Sequence, residues 1–234
     1  MNHRTLLIVG AAGDVGQGLV AAAVASGRTV IAASRSAQKL NALRERHPGL
    51  QVVAGSLETE ASAVELWEAA VAASGAIDAA AVSVNAPTVA TPLRSLTAED
   101  VAAVHAANLL THLNAVRAFA PRLAPGGLYV GIGGGMADFV APGLAHLSMV
   151  QAALRMMYRG FAREYRDGPL IRELLIASMV NGESKRDRAD PAWVTDLDCG
   201  RHLCAILDDP AVFDAPIVTL KSREQVGRPD KAAA

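Results

Sequence analysis

Three glycines spaced by threes, Gly10, Gly13 and Gly16, enclose Asp14 and Val15 near the start of this 234-residue chain. What such a run offers is bare backbone. Without Cβ atoms it can turn tightly, bring N–H groups up to a pyrophosphate, and let the next helix pack close to the preceding strand. The anion would lie at a helix N-terminus, where unpaired N–H groups and the helix dipole favour negative charge. The flanks fit this use. Residues 5–9 form a continuous apolar run that reads as a strand buried on both faces. Val15, Leu19, Val20, Ala23 and Val24 then recur at helical spacing up to Gly27, and residues 29–33 read as a second buried strand. Strand, glycine turn, helix and strand form a right-handed crossover, and dinucleotide binding is the expected use of its turn.

The end of the second strand bears on which dinucleotide. A carboxylate there would take the ribose hydroxyls of NAD, but this strand ends Ser34-Arg35-Ser36. Arg35 can pair with a 2′-phosphate and Ser34 can donate to it. A hydrogen bond to a charged group is worth about 1.5–3 kcal/mol, enough for a preference of roughly ten- to a hundredfold. NADP(H) is therefore expected; the alternative is a solvated loop arginine.

Other candidates follow in order. Ser56 and Leu57 leave the end of a third strand, residues 51–54, where an adenine can lie. Ser83 and Asn85 lie in the loop after a fourth strand, residues 77–82, at a carboxyl end where open α/β sheets bind ligands. Thr97 and Asp100 resemble a capping pair opening a long helix over residues 97–123, in which Val101, Val104 and Asn108 share a stripe. A buried asparagine needs partners, so Asn108 either orders water or backbone near a site or is a satisfied core residue. A fifth strand, residues 128–132, runs into the flexible, side-chain-free Gly133-Gly134-Gly135-Met136. In a second long helix, residues 144–165, Leu147, Val150, Leu154, Met157 and Phe161 form a stripe for core or subunit packing. A sixth strand is expected over residues 174–180, a charged surface loop over the site at 183–190, a helix at 196–208 and a last strand at 215–220. Lys185, Arg186 and Arg188 in that loop either meet an anionic substrate or are solvated.

These elements, with helices over residues 36–47 and 61–73, alternate strand and helix throughout. The expected architecture is α/β: a Rossmann-type, doubly wound parallel sheet of about seven strands with helices on both faces. One domain is expected over residues 1–226, with a loose tail at 227–234. With 22 basic and 23 acidic residues and no long basic cluster, nucleic acid is not an expected partner. Cys199 and Cys204 lack nearby histidines at zinc-site spacing and read as reduced thiols. No apolar run reaches membrane-spanning length, and the first residues carry no cleavage-site pattern, so a cytoplasmic protein without membrane contact is expected.

The order of elements and these residues resemble the short-chain dehydrogenase/reductase family over about residues 4–222. The glycine spacing resembles its extended and atypical branches, and Asn108-Leu109 resembles the family's helix asparagine, which supports a proton-relay water. Ala152-Ala153-Leu154-Arg155 and Phe161-Ala162-Arg163-Glu164 resemble the helix after its catalytic segment and set the register. In that register the family's proton-transferring tyrosine falls at Leu147 and its lysine at Gln151. Its serine falls within Gly133-Gly134, and its Pro-Gly after the sixth strand is replaced by Ser178-Met179. The resemblance implies a nicotinamide cofactor, a small organic substrate and a homodimer or homotetramer through the two long helices. It leaves the proton source open. His146, beside the vacated position, is the candidate because an imidazole free of its surroundings exchanges a proton near neutrality, but it is offset by about a quarter turn and also reads as a packed or solvent-facing histidine. Gln151 can hydrogen-bond a ribose without supplying charge. Two functions remain: an NADP(H)-dependent oxidoreductase with an unusual proton path, or a lapsed NADP(H)-binding protein acting as sensor or subunit partner.

Overall fold

A computed structural model describes residues 4–229; residues 1–3, and 230–234 of the expected tail, lie outside the described part. The chain runs β1 (Thr5–Val9), α1 (Asp14–Ala25), β2 (Thr29–Ser34), α2 (Ala37–Arg46), β3 (Gln51–Ala54), α3 (Glu60–Ser74) and β4 (Ala79–Val82). It continues through α4 (Ala98–His105), α5 (Thr111–Phe119), β5 (Leu128–Gly134), α6 (Ala145–Glu164), β6 (Leu170–Ile176), β7 (Val180–Asn181), β8 (Val194–Thr195), α7 (Asp196–Asp208) and β9 (Ile217–Leu220). Seven parallel strands form one sheet in the order β3-β2-β1-β4-β5-β6-β9, and β7 pairs with β8 separately. The expected α/β architecture is the one observed.

Alternation within β1 divides the core. Leu6 and Ile8 face one layer with Leu19 and Val20 of α1, Leu40 and Leu43 of α2, and Leu203 and Ile206 of α7. Leu7 and Val9 face the other, with Leu66 and Trp67 of α3, Val116 and Phe119 of α5, and Leu154 and Tyr158 of α6. Successive strand residues point to opposite faces, so a strand apolar at every position must be covered twice. Strand order reverses between β1 and β4, and it is at such a reversal, outside the carboxyl ends, that open α/β sheets offer a crevice to ligands.

Three expectations need correction. The sixth strand is Leu170–Ile176 and not residues 174–180. Arg172 and Glu173 break the apolar pattern, yet the fold buries both, and Arg172 Nε donates to the Phe213 carbonyl at 3.1 Å. The helix expected at residues 97–123 opens on the Thr97–Asp100 capping box but is interrupted by a π turn, Ala106–Leu110, and closes in a 3-10 turn. Here Thr111 Oγ1 donates to the Ala107 and Asn108 carbonyls at 3.2 and 3.0 Å, and side chains inserted into a helical ladder distort it. Finally, Gly133 and Gly134 belong to β5, paired with Leu175 and Ile176, and are not a flexible segment.

Candidate functional site

The glycine turn sits at the end of β1 beside the strand-order reversal. Gly10 has φ +81°, and a Cβ there would fall on the Ser83 carbonyl after β4, so the two segments touch. A Cβ at Gly16 would overlap the Gly10 carbonyl, which keeps α1 close to the strand. The first helical bond of α1 runs from Gln17 N to Gly13 O at 3.0 Å. The N–H groups of Asp14, Val15 and Gly16 therefore have no intrahelical acceptor and are available to an anion.

The Asp14 side chain is committed elsewhere. Its carboxylate accepts from Ser184 N at 3.1 Å and from the Ser184 hydroxyl. Gly182 packs so closely on it that a Cβ there would come within 2.7 Å of Asp14 Cβ. The charged segment is thus a 3-10 turn, Glu183–Arg188, that carries Lys185, Arg186 and Arg188 and is docked through Ser184 on the N-terminus of α1.

On the β2–β3 side, Ser34 Oγ accepts from Ser36 N at 3.2 Å. Arg35 is exposed and 3.8 Å from the exposed Glu58 carboxylate. Ser56 is half-buried and caps Glu58 N at 3.2 Å. Leu57 turns its side chain into the core, and its carbonyl accepts from Asn114 Nδ2 at 3.0 Å.

On the β4–β5–β6 side, Ser83 is half-buried and Asn85 exposed. Asn108 holds backbone: its Oδ1 accepts from Ala86 N at 2.7 Å and its Nδ2 donates to Val104 O at 2.9 Å. Gln151 is buried, with Oε1 accepting from Gly134 N at 2.7 Å and its amide nitrogen left to donate outward. Leu147 is half-buried one turn before it, whereas His146 is buried with Nδ1 unpartnered among the described residues. The structure therefore brings Gln151 to the end of β5 but gives His146 no polar contact there. Exposed apolar side chains, Val89, Phe139, Val140 and Met179, follow β4, β5 and β6.

Glu173 and His112 are buried polar residues that the sequence reading did not single out, and Tyr158, about three turns beyond Leu147 and so too far along the helix to replace the family's tyrosine, is a third. Glu173 is fully buried under Gly133, where a Cβ would fall on its carboxylate, and neither oxygen has a hydrogen-bond partner among the described residues. Burial pushes its pKa up to about 7 against the opposing pull of Arg155 and Arg159. Arg155 is held instead by Asp138 at 2.6 and 2.7 Å. Gly131, two residues before Gly133 on the same strand face, has the Tyr158 phenol where its Cβ would be. The available signal was that alternation, since two glycines on one face of a buried strand leave space that a neighbour must fill. Among the described residues no cluster of metal-binding side chains is present, and no helix is long and apolar enough to cross a membrane.

The family model for short chain dehydrogenases matches residues 4–180. No curated protein matches the chain. Solved structures share its fold at low identity. A short-chain type dehydrogenase/reductase from Mycobacterium ulcerans superposes with TM-score 0.85 at 17% identity, covering 98% of this chain and 93% of that one. An oxidoreductase of the short chain dehydrogenase/reductase family from Burkholderia thailandensis gives 0.77 at 24%, covering 94% and 91%. The NADPH-bound short chain oxidoreductase from Pseudomonas aeruginosa PAO1, described as containing an atypical catalytic center, gives 0.79 at 19%, covering 93% and 95%.

Proposed function

Because this chain belongs to the short chain dehydrogenase family, we propose that it is an NADP(H)-dependent oxidoreductase acting on a small organic substrate without the Tyr-x-x-x-Lys pair. The observation that carries the reading is the nucleotide side of the crevice. Gly10 abuts Ser83, three N–H groups of α1 have no intrahelical acceptor, and Arg35 stands exposed at the end of β2. Asp14, Val15 and Gly16 would hold the pyrophosphate through backbone N–H groups, with Gly13, whose N–H donates to Gly10 O at 3.0 Å, leaving room for its approach, and Ser34 and Arg35 would hold the 2′-phosphate. Ser56 and the Leu57 backbone would border the adenine, and Ser83 and Asn85 the ribose beyond. NADPH bound to the similar Pseudomonas protein supports the cofactor assignment.

A bound nicotinamide supplies hydride chemistry, while the protein supplies position and a proton. Leu147 offers no proton and Gln151 no charge, so this chain suits a substrate that needs little acid catalysis, such as an imine or an activated alkene. The apolar side chains at Val89, Phe139, Val140 and Met179 favour a substrate with an apolar body. His146 as proton donor requires the ring to turn toward the end of β5. Exposed Leu110, Met149 and Met156 on the long helical segments support pairing of two copies there.

The second reading, a non-catalytic NADP(H)-binding protein, is favoured by the commitment of Gln151 Oε1 to Gly134 N. Calorimetric titration with NADPH and NADH in parallel tests the shared premise. Micromolar NADPH binding with NADH at least tenfold weaker supports it; binding of neither overturns both readings. Turnover of imines or activated alkenes with NADPH then separates enzyme from binder.

A further inference from the structure

We infer that His112 and Tyr158 are positioning residues for the cofactor crevice, holding the segment after β4 through a hydrogen-bond chain of fixed direction. The inference rests on the nucleotide reading above. The two residues lie on different helices and are both fully buried. Tyr158 Oη is 2.6 Å from His112 Nδ1, and His112 Nε2 is 2.9 Å from the Val84 carbonyl. A carbonyl oxygen only accepts, so Nε2 carries the proton and donates. In the neutral ring Nδ1 is then bare and accepts from the Tyr158 hydroxyl. Burial drives the His112 pKa down to about 4 and the Tyr158 pKa well above its usual value, so both stay neutral near pH 7. The chain therefore runs Tyr158 to His112 to Val84, with both ring nitrogens satisfied.

What it holds is a wall of the crevice. Ser83 presses its carbonyl on Gly10 and donates its N–H to Val9 O at 2.9 Å. The next residue, Val84, is held by His112, and Ala86 by Asn108 at 2.7 Å. Residues 83–86 are thus fixed on one side by the glycine turn and on the other by two side chains four positions apart, one in the π turn and one in α5. The strand order places this segment across β1 from β2 and β3, on the side away from Arg35 and Ser56. Tyr158 reaches His112 across β5 through the space that Gly131 leaves empty. Packing alone would need only a ring of that size; the hydroxyl adds the bond that fixes the imidazole's orientation.

Tyr158→Phe removes that hydroxyl and keeps the ring. The expected result by calorimetry is about tenfold weaker NADPH binding, the scale of one lost buried hydrogen bond, with 2′,5′-ADP unchanged within about twofold because it reaches from the β2–β3 side no further than the glycine turn. His112→Gln, whose amide can still donate to Val84, should bind NADPH more tightly than His112→Leu. Equal weakening of both ligands, or no change in either, overturns the inference. If the wild-type protein binds no NADPH, the cofactor reading fails, and amide hydrogen exchange without ligand decides the positioning claim. Exchange at residues 83–86 at least about tenfold faster in Tyr158→Phe, with α5 and α6 unchanged, supports it. Uniformly faster exchange, or none, overturns it.

Discussion

At the scale of single residues, the proposed cofactor preference turns on Arg35 and its neighbour. Arg35 and Glu58 are both highly exposed and only 3.8 Å apart, a pair that solvent screens and that contributes little to stability. Its consequence is for binding, because the carboxylate competes with a 2′-phosphate for the same guanidinium. Arg35→Ala should weaken NADPH about tenfold or more and leave NADH nearly unchanged, whereas Glu58→Gln should strengthen NADPH a few-fold, both read by titration. Glu173 makes a prediction in pH. Burial raises its folded pKa to about 7 from an ordinary 4.5, so the folded state keeps a proton that the unfolded chain releases. Its contribution to stability is full below about 4.5 and is lost as pH rises through 7, by roughly 3 kcal/mol in total. Between pH 5 and pH 8 the wild type should therefore lose roughly 5–10 °C more in Tm than Glu173→Gln.

At the scale of elements, β5 is shaped by what its neighbours insert into it. Gly131 admits the Tyr158 ring and Gly133 the Glu173 carboxylate, while Gly134 N–H binds Gln151. Gly131→Ala should cost about 1–3 kcal/mol by overpacking, measured by urea unfolding, and less than half of that in a Tyr158→Leu background. The apolar stripe of α6 shows the same influence. Tyr158 is fully buried, whereas Met157 and Phe161 of the expected stripe are half-buried against the same core. Helical spacing marked Met157 and Phe161; the space left over Gly131 takes the tyrosine ring.

At the scale of the molecule, the parallel sheet brings the ends of β1 to β6 to one edge, where the glycine turn, Ser83 and the docked 183–188 turn meet. The outer face of the long helical segments leaves Leu110 44%, Met149 44% and Met156 61% exposed. The proposed pairing of copies through this face predicts a dimer or tetramer mass by light scattering. Met156→Glu combined with Leu110→Glu should shift that mass toward the monomer, because burying unpaired charge in an interface is costly.

The local pattern determined the architecture: continuous apolar runs, a glycine-spaced turn and helical periodicity each act within a few residues, and a parallel sheet of about seven strands followed from their alternation. The resemblance to the family's helix set the register in which Leu147 and Gln151 are expected at its tyrosine and lysine positions. Tertiary structure alone decided how the charged and polar residues are used. Arg172 and Glu173 broke the apolar pattern and displaced the expected strand, yet both are buried because the carbonyl and the glycine that receive them come from distant segments. His112 and Tyr158, 46 positions apart, become partners only when α5 and α6 pack on the same face of the sheet. Asp14 likewise meets Ser184 only after 170 residues have returned to the start of α1. Periodicity records which face a residue takes, but a hydrogen bond across the fold depends on distances that only the folded chain sets.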